Sequence, residues 1–249
     1  MKILITGAAS PLAQEIITAL DSAYEVRLLD DCPPIEGQQD ADWVQGSLTD
    51  PQVAWQAVRN IDLLIHTGEP PPTLATDPGQ CEQTLLDLAT RGTHVLLKAA
   101  IEAGLKRFIY GSTLEIFSGY PDTVYITEMH KPLPTPDMPQ MGRYLGELTC
   151  REFAREHMVT GTALRLGKLV LKEDVAGQQP DLMWLDRRDA AQAFCAVVAH
   201  HTSLSFRWVG RWNLYHICAP ITNPKFLIAK AETIGYQPQH AFQADKGLQ

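Results

Sequence analysis

The amino-acid sequence predicts an α/β fold in which helices cover both faces of a doubly wound parallel sheet. Short apolar runs typical of buried strands alternate with longer amphipathic stretches through the first two thirds of the chain. With 249 residues, 45% of them hydrophobic and 20% charged, the chain can bury one full core and carry a small lobe. No apolar run approaches the ~20 residues that a membrane-spanning helix needs.

The elements follow from hydrophobic periodicity and from the residues that start and stop helices. Asp50-Pro51 is typical of an N-cap followed by proline at the first helical position, and Gly104 is a helix-ending glycine. Lys131–Pro139 is too rich in proline for a helix or a central strand. Strands are predicted at 2–6, 25–29, 42–45, 61–66, 106–111, 160–166 and 213–218. Helices are predicted near 11–21, 51–59, 80–103, 140–157, 187–201 and 223–234, with a frayed end at 241–249.

The domain organisation predicted from this order is a single structural unit with two parts. Residues 1–167 carry the alternating strands and helices of the core, and residues 168–249 form a small C-terminal lobe interleaved with it.

Composition excludes several classes of partner. A formal net charge of −8 argues against nucleic acid, whose phosphates repel such a chain. The five cysteines are scattered, odd in number and without metal spacing, so we expect reduced thiols and no metal site. The chain enters a strand at its first residues, which leaves no room for a signal peptide, and we expect a cytoplasmic protein without a membrane partner.

The first fifty residues have the layout of a Rossmann-like βαβ dinucleotide site. The strand Lys2–Thr6 runs into a tight turn at Gly7, and a helix follows. A pyrophosphate needs free backbone N–H groups there, which points to the segment Ser10, Pro11 and Leu12. Ser10-Pro11 is typical of a helix N-cap and first residue, however, and proline has no N–H to donate. A well-capped helix without phosphate binding is therefore an equally open interpretation.

The second apolar run, Val26–Leu29, ends in Asp30-Asp31. A carboxylate at the end of the second strand accepts hydrogen bonds from the adenosine ribose hydroxyls and repels the 2′-phosphate of NADP. The pair predicts NAD rather than NADP as the cofactor, although an exposed Asp-Asp turn would have the same sequence.

Motifs along nearly the whole chain, from Lys2 to Gln239, resemble the short-chain dehydrogenase/reductase superfamily and its NAD-dependent epimerase/dehydratase branch. The resemblance depends on their order along the chain, since each motif alone is weak. The motifs are TGA at 6–8, QGSLTD at 45–50, DLLIHTG at 62–68, GT at 92–93 with AA at 99–100, KRFIYGST at 106–113, RLG at 165–167, LDRRDAA at 185–191 and GYQP at 235–238.

The resemblance implies further cofactor contacts beyond the first turn. Ser47 and Leu48 would lie beside the adenine, with Ser47 replacing the family's usual aspartate. His66, Thr67 and Gly68 would follow the fourth strand against the dinucleotide, and Glu69 would add negative charge there. For His66 a structural role at a strand end is the stronger interpretation.

The family's catalytic pair is a tyrosine followed four residues later by lysine, with a Ser/Thr hydroxyl on the substrate oxygen. Thr113 matches the hydroxyl, but the flanking motifs place Pro139 in the tyrosine position and Arg143 in the lysine position. Arg143 keeps a positive charge near the ribose, but it is a poor proton relay. Tyr144 is the candidate replacement donor, and a packing role for it is the alternative.

Two hypotheses remain open from the sequence. One is a nucleotide-binding protein with altered or lost catalysis and a small sugar-type ligand; the other is an active NAD-dependent oxidoreductase or epimerase with a non-standard proton donor. Only about 17 residues separate Gly167 from Leu185, so we expect a reduced substrate lobe and a small ligand. The resemblance also implies a homodimer through the helices at 80–103 and 140–157.

Overall fold

The computed structural model describes residues 1–20, 22–71, 77–200, 211–221 and 224–242. A seven-stranded sheet in which every pairing is parallel forms its centre, so the predicted α/β class is confirmed. Its strand order is β3-β2-β1-β4-β5-β6-β9, and a separate two-stranded parallel sheet pairs β7 with β8. The strands are β1 Lys2–Thr6, β2 Glu25–Asp30, β3 Asp42–Gln45, β4 Leu63–His66, β5 Arg107–Thr113, β6 Thr160–Leu166, β7 Lys168–Val170, β8 Trp184–Asp186 and β9 Trp212–Ile217.

Helices connect the strands and cover the sheet. One difference from the sequence prediction is that the stretch 80–103 is two helices, joined by a π-helical turn at Leu88–Gly92. The first of these helices also begins earlier, because the Asp77 side chain accepts a hydrogen bond from Gln80 N. The helices are α1 Pro11–Ala19, α2 Pro51–Ala57, α3 Pro78–Asp87, α4 Thr93–Glu102, α5 Met138–Glu156, α6 Arg187–Ala199 and α7 Ala229–Glu232.

Both faces of the sheet are buried. In β1, Ile3 and Ile5 belong to one apolar cluster with α1 and α6, whereas Leu4 belongs to the opposite cluster with α2, α4 and α5. Alternate residues of a strand point to opposite faces, so this division follows directly from the pleat. Burial on both faces explains why β1 is a continuous apolar run instead of an alternating pattern.

A third apolar cluster lies beyond the carboxyl end of β5. A 3₁₀ turn at Leu114–Phe117 packs there against Ile126 and Phe226, with Tyr144 on its edge. In the C-terminal part of the chain, β9 joins the main sheet and α6 packs on α1. The division of the chain at residue 167 stays a prediction.

Two predictions for the C-terminal part were wrong. The helix expected at 223–234 is only α7, because Lys225 and Leu227 exchange backbone hydrogen bonds with Ile126 instead; residues 222–223 lie outside the described ranges. Phe242, placed in a frayed end, is 8% exposed and packs edge-on against Trp184. The rest of that predicted end, 243–249, is outside the described residues. The short β7–β8 sheet was missed.

None of the helices in the described residues is long and apolar enough to cross a membrane. Helices α3, α4 and α5 fall in the stretches proposed for a dimer interface. The homodimer stays a prediction.

The N-cap of α1 gives a first testable prediction. Ser10 Oγ accepts a hydrogen bond from Ala13 N at 3.2 Å and Ser10 is 3% exposed. We expect Ser10→Ala to lower the free energy of unfolding by ~1 kcal/mol, because the Ala13 N–H loses its acceptor. Urea denaturation followed by circular dichroism measures this. The control Thr18→Ala removes a hydroxyl from the exposed part of the same helix and should change little. Equal values for both variants would contradict the capping role.

Candidate functional site

The carboxyl ends of the central strands form the candidate site. Because the sheet is parallel, β1, β4, β5 and β6 all end at the same edge, where the first turns of α1 and α5 also lie. A cavity of about 400 Å³ opens at this edge. Of the residues predicted from sequence, it is lined by Leu48, His66, Gly68, Thr113 and Arg143. The other predicted site residues do not line this cavity.

The turn after β1 has the predicted backbone but few free donors. Gly7 has a φ of +65°, which favours glycine, and the helix starts at Pro11 as expected. Ala8 N donates to Leu29 O at 3.3 Å, and Ser10 N donates to Gly7 O at 3.0 Å. With Ala9 N bound to Asp30 and Ala13 N used by the cap, the N–H groups of Gly7 and Leu12 are the amides of this turn without an acceptor among the described residues.

Asp30 lies at the carboxyl end of β2, as predicted, and is 5% exposed. Its carboxylate accepts hydrogen bonds from Ala9 N at 2.9 Å and from Asp31 N at 2.8 Å. It therefore fixes the turn after β1 from the side on which an adenosine ribose would bind. Oδ1 also accepts from Cys32 N at 3.5 Å and from Cys32 Sγ at 3.4 Å, whereas Oδ2, bound to Ala9 N, has a second lone pair with which to accept a ribose hydroxyl.

The residues after β3 make a local turn. Ser47 Oγ lies 2.9 Å from Thr49 Oγ1 and accepts from Thr49 N, so its hydroxyl is held within its own loop. Leu48 lines the cavity and lies close to Gly92, where α4 begins.

His66 and Thr67 are bound into the fold. The His66 ring lies between Thr6 Oγ1, 2.7 Å from Nδ1, and Thr93 Oγ1, 3.0 Å from Nε2. Burial, with a smaller contribution from the charge of Arg143, lowers the pKa of His66 to about 3, so the ring is neutral at pH 7. Thr67 is buried and donates to Thr6 O at 2.8 Å. These contacts favour the structural interpretation of His66.

Arg143 lies at the centre of the site. Its Nη1 donates to Gly111 O at 2.9 Å and to Thr67 O at 3.3 Å, and its Nη2 forms an ion pair with Glu69. Burial opposes the charge of Arg143, but the Glu69 carboxylate outweighs that effect and raises the pKa of the guanidinium. Arg143 thus crosslinks the ends of β4 and β5 to α5 as a permanent cation.

The first turn of α5 carries no acid or base at residue 139, the position predicted for the family's tyrosine. Pro139 is in this turn, where its missing N–H costs the helix no hydrogen bond, and it lines the cavity with Met138. Thr113 faces the same cavity and is 8% exposed; its Oγ1 accepts from Glu115 N at 3.1 Å.

Neither tyrosine near α5 offers a free hydroxyl to this cavity. Tyr144 does not line it; the side chain packs on the cluster around Phe117 instead. Tyr110 does line it, but its hydroxyl donates to Arg143 O at 3.2 Å. That hydroxyl lies against Gly146, so a Cβ there would collide with it. Burial raises the pKa of the Tyr110 phenol above its ordinary value.

Sequence reasoning missed a buried polar group beneath the site. Arg165 binds Glu147 through two hydrogen bonds, Nε to Oε2 at 3.0 Å and Nη2 to Oε1 at 2.7 Å, and Ser112 Oγ donates to Glu147 Oε2 at 2.6 Å. Arg165 and Glu147 are each 4% exposed. A glutamate in the middle of a helix that covers a sheet, together with an arginine in a buried strand, was the signal that could have found the pair.

Two further charged residues line the cavity at its outer side. Lys168, at the start of β7, binds Asp181 at 2.6 Å, and this contact raises the pKa of the lysine. Glu115 lies in the 3₁₀ turn after β5. Neither was predicted from sequence. For Lys168 the reason is that the β7 strand, which positions it, was not recognised.

A seven-stranded parallel sheet with a glycine turn, an acidic residue ending β2 and a cavity at its carboxyl edge defines the class of Rossmann-like dinucleotide-fold proteins. The sequence model of the NAD dependent epimerase/dehydratase family matches residues 3–184, and the chain belongs to that family.

Relatives with assigned functions include sugar enzymes. The chain is 26% identical over 222 residues to the NAD-dependent glucose-6-phosphate dehydrogenase of Haloferax volcanii, covering 80% of this chain and 81% of that protein. It is 30% identical over 132 residues to the dTDP-D-glucose 4,6-dehydratase of Mus musculus, covering 47% of this chain and 37% of that one.

Solved structures of similar fold include the uronate dehydrogenase from Agrobacterium tumefaciens. That structure superposes with a TM-score of 0.77 at 19% identity, covering 96% of this chain and 85% of the other. MoeE5 in complex with UDP-glucuronic acid and NAD superposes with a TM-score of 0.72 at 18% identity, covering 97% and 95%. At these identities the likeness shows the fold.

The buried pair beneath the site gives a stability prediction. We expect Glu147→Gln to lower the free energy of unfolding by roughly 3–5 kcal/mol, because Arg165 is left as an uncompensated buried charge. Guanidinium denaturation measures the loss. The matched control is Glu152→Gln in the same helix, whose pairs with Arg151 and Arg155 are exposed and should contribute little to stability. A loss no larger than that of the control would show that the buried pair is not stabilising.

The histidines give a prediction for pH dependence. His66 and His216 both have a pKa lowered to about 3, chiefly by burial, against about 6.5 in an unfolded chain. Between pH 6.5 and 3 the unfolded chain binds protons that the folded chain does not. Each histidine therefore lowers stability as the pH falls, by up to about 1.4 kcal/mol per pH unit. In NMR titrations of the folded protein, we expect both imidazole C–H signals to stay constant from pH 8 to 5. A midpoint near 6.5 for either ring would contradict its buried, neutral state.

Proposed function

We propose that this chain is a nucleotide-binding member of its family in which the proton-transfer chemistry is altered or lost. In this proposal it binds NAD in preference to NADP and takes a small sugar-type ligand. The observation that carries the proposal is that Pro139 and Arg143, to which the sequence motifs assign the positions of the family's tyrosine and lysine, both line the cavity at the start of α5.

The proton donor is the first point of support. Proline has no acid or base, and the Arg143 guanidinium, with its raised pKa, does not release a proton near neutral pH. The phenol of Tyr110 is already bound to a backbone carbonyl, and that of Tyr144 lies outside the cavity. Loss of a general acid typically costs a factor of ~10²–10⁴ in rate. A sugar oxidation at an ordinary rate would need a different group to take the proton of the sugar hydroxyl.

The cofactor is the second point. The carboxylate of Asp30 suits an adenosine ribose and repels a 2′-phosphate, which favours NAD. When bound, NAD supplies a hydride acceptor. The pyrophosphate fits less well, because Pro11 has no N–H and only the amides of Gly7 and Leu12 are left for it in the described turn. Binding of NAD is therefore expected to be weaker than at the usual dinucleotide motif, in which three glycines leave the backbone of this turn open to the pyrophosphate.

The ligand is the third point. The segment between β6 and α6 holds only β7, β8 and a short loop, and the whole cavity has a volume of about 400 Å³. Beside a dinucleotide, that space suits a monosaccharide and is too small for a nucleotide-sugar. Relatives described as acting on glucose 6-phosphate, and neighbours described as uronate dehydrogenases, support the sugar class.

The alternative is an active NAD-dependent oxidoreductase or epimerase on a small sugar or sugar acid with a non-standard proton donor. Glu115 favours this alternative, because it lines the cavity and its N–H binds Thr113 Oγ1, the hydroxyl expected on the substrate oxygen. A carboxyl group at this place could exchange a proton with a substrate hydroxyl.

The two alternatives differ in turnover. We expect the chain to bind NADH, measured by calorimetry, but to reduce no NAD above the blank rate with a panel of hexoses, glucose 6-phosphate and uronates, followed at 340 nm. The reason is the missing acid at position 139. The double variant Pro139→Tyr/Arg143→Lys serves as the matched comparison, since it restores both groups on the same helix.

Turnover by the unmodified chain at a rate typical of dehydrogenases would contradict the proposal. In that case Glu115→Gln and Tyr144→Phe identify the donor, since only the variant that removes it abolishes the activity.

A further inference from the structure

We infer that Glu69 determines which ligands the site accepts: by pairing with Arg143 it neutralises this cation of the cavity and disfavours anionic groups beside it. The inference rests on the proposed function and adds a specificity determinant to it. It weakens the binding of the anionic dinucleotide, and the second ligand that it favours is an uncharged sugar, with hydroxyl groups and an apolar face.

The position of Glu69 is fixed by the backbone on both sides. Gly68 has a φ of +69°, and a Cβ there would lie 2.6 Å from Gly111 O, so this position requires glycine. Glu69 N donates to Thr67 Oγ1 at 3.3 Å. The loop after β4 therefore holds the Glu69 carboxylate in the cavity, and the side chain is only 20% exposed.

The guanidinium of Arg143 is held by the protein itself. Its Nη1 donates to two backbone carbonyls, its Nη2 pairs with the Glu69 carboxylate, and the side chain is 17% exposed. At the lysine position predicted from the family motif, this cation is the one expected to meet a ligand's ribose or phosphate. An anionic group that approaches the N–H groups left on Arg143 therefore meets the Glu69 carboxylate beside them.

The remaining charges of the cavity do not compensate. Lys168, the other cation of the lining, is paired with Asp181, and Glu115 adds a further negative charge. At the carboxyl end of β2, Asp30 and Asp31 are also acidic. Much of the remaining lining is apolar, including Leu48, Leu85, Leu88, Met138, Pro139 and Leu169. Charge and surface together favour an uncharged ligand.

Removing the carboxylate tests the inference. Glu69→Gln frees the guanidinium for an anion and removes a like charge from the same place. We expect the affinity for NADH to rise about 10- to 100-fold, the range for one charge-assisted hydrogen bond. The affinity for adenosine, which has no phosphate, should change less than about twofold. Calorimetry with NADH and with adenosine measures both.

The matched control is Glu82→Gln, which removes the same charge from an exposed position of α3. It should bind both ligands like the unmodified chain. A second variant, Glu69→Ala, covers the case in which the glutamine still holds Arg143, and the far-ultraviolet circular dichroism of each variant confirms its fold. A rise in NADH affinity in either Glu69 variant, without the same rise for adenosine, supports the inference.

Unchanged or weaker NADH binding in both Glu69 variants would overturn it, as would an equal rise for NADH and adenosine. These outcomes are distinct from a failure of the proposed function. The inference is judged by the change of affinity between the unmodified chain and its variants, whereas the proposed function fails if the unmodified chain binds no NADH or oxidises a sugar at an ordinary rate.

Discussion

The ion pair between Arg143 and Glu69 is the interaction on which the site depends. It joins α5 to the loop after β4, and the same guanidinium binds the backbone of β5 through Gly111 O. Because the pair is mostly buried, removing one partner leaves an uncompensated charge in a place of low dielectric constant. The charge of the cavity therefore depends on both residues.

The start of α5 combines a stable helix start with the positions that the sequence motifs assign to the family's tyrosine and lysine. Proline is well suited to a first helical turn, so Pro139 stabilises the helix start, and in the proposal it stands where the family keeps a proton donor. Beneath it, Glu147, Arg165 and Ser112 form a hydrogen-bonded group that joins the helix to β5 and β6. The position of the covering helix on the sheet is thus fixed by contacts that do not involve Pro139.

Local patterns predicted most of the fold. Continuous apolar runs fix buried parallel strands, and caps such as Ser10 and Asp50 fix helix starts within a residue or two. Side-chain partners across the sheet were not predictable in this way. Glu69 and Arg143 are 74 residues apart, and the side on which Tyr144 packs depends on the exact rotation of α5. Such contacts follow from tertiary packing, which a linear pattern does not encode.

The most direct test of the account is a crystal structure of the chain with NADH bound. The account predicts that Arg143 remains on Gly111 O, and that no aromatic hydroxyl lies within hydrogen-bond distance of Thr113 or of the nicotinamide ring. A phenol in that place, from Tyr144 or any other tyrosine, would contradict the claim that the family's proton transfer is altered or lost.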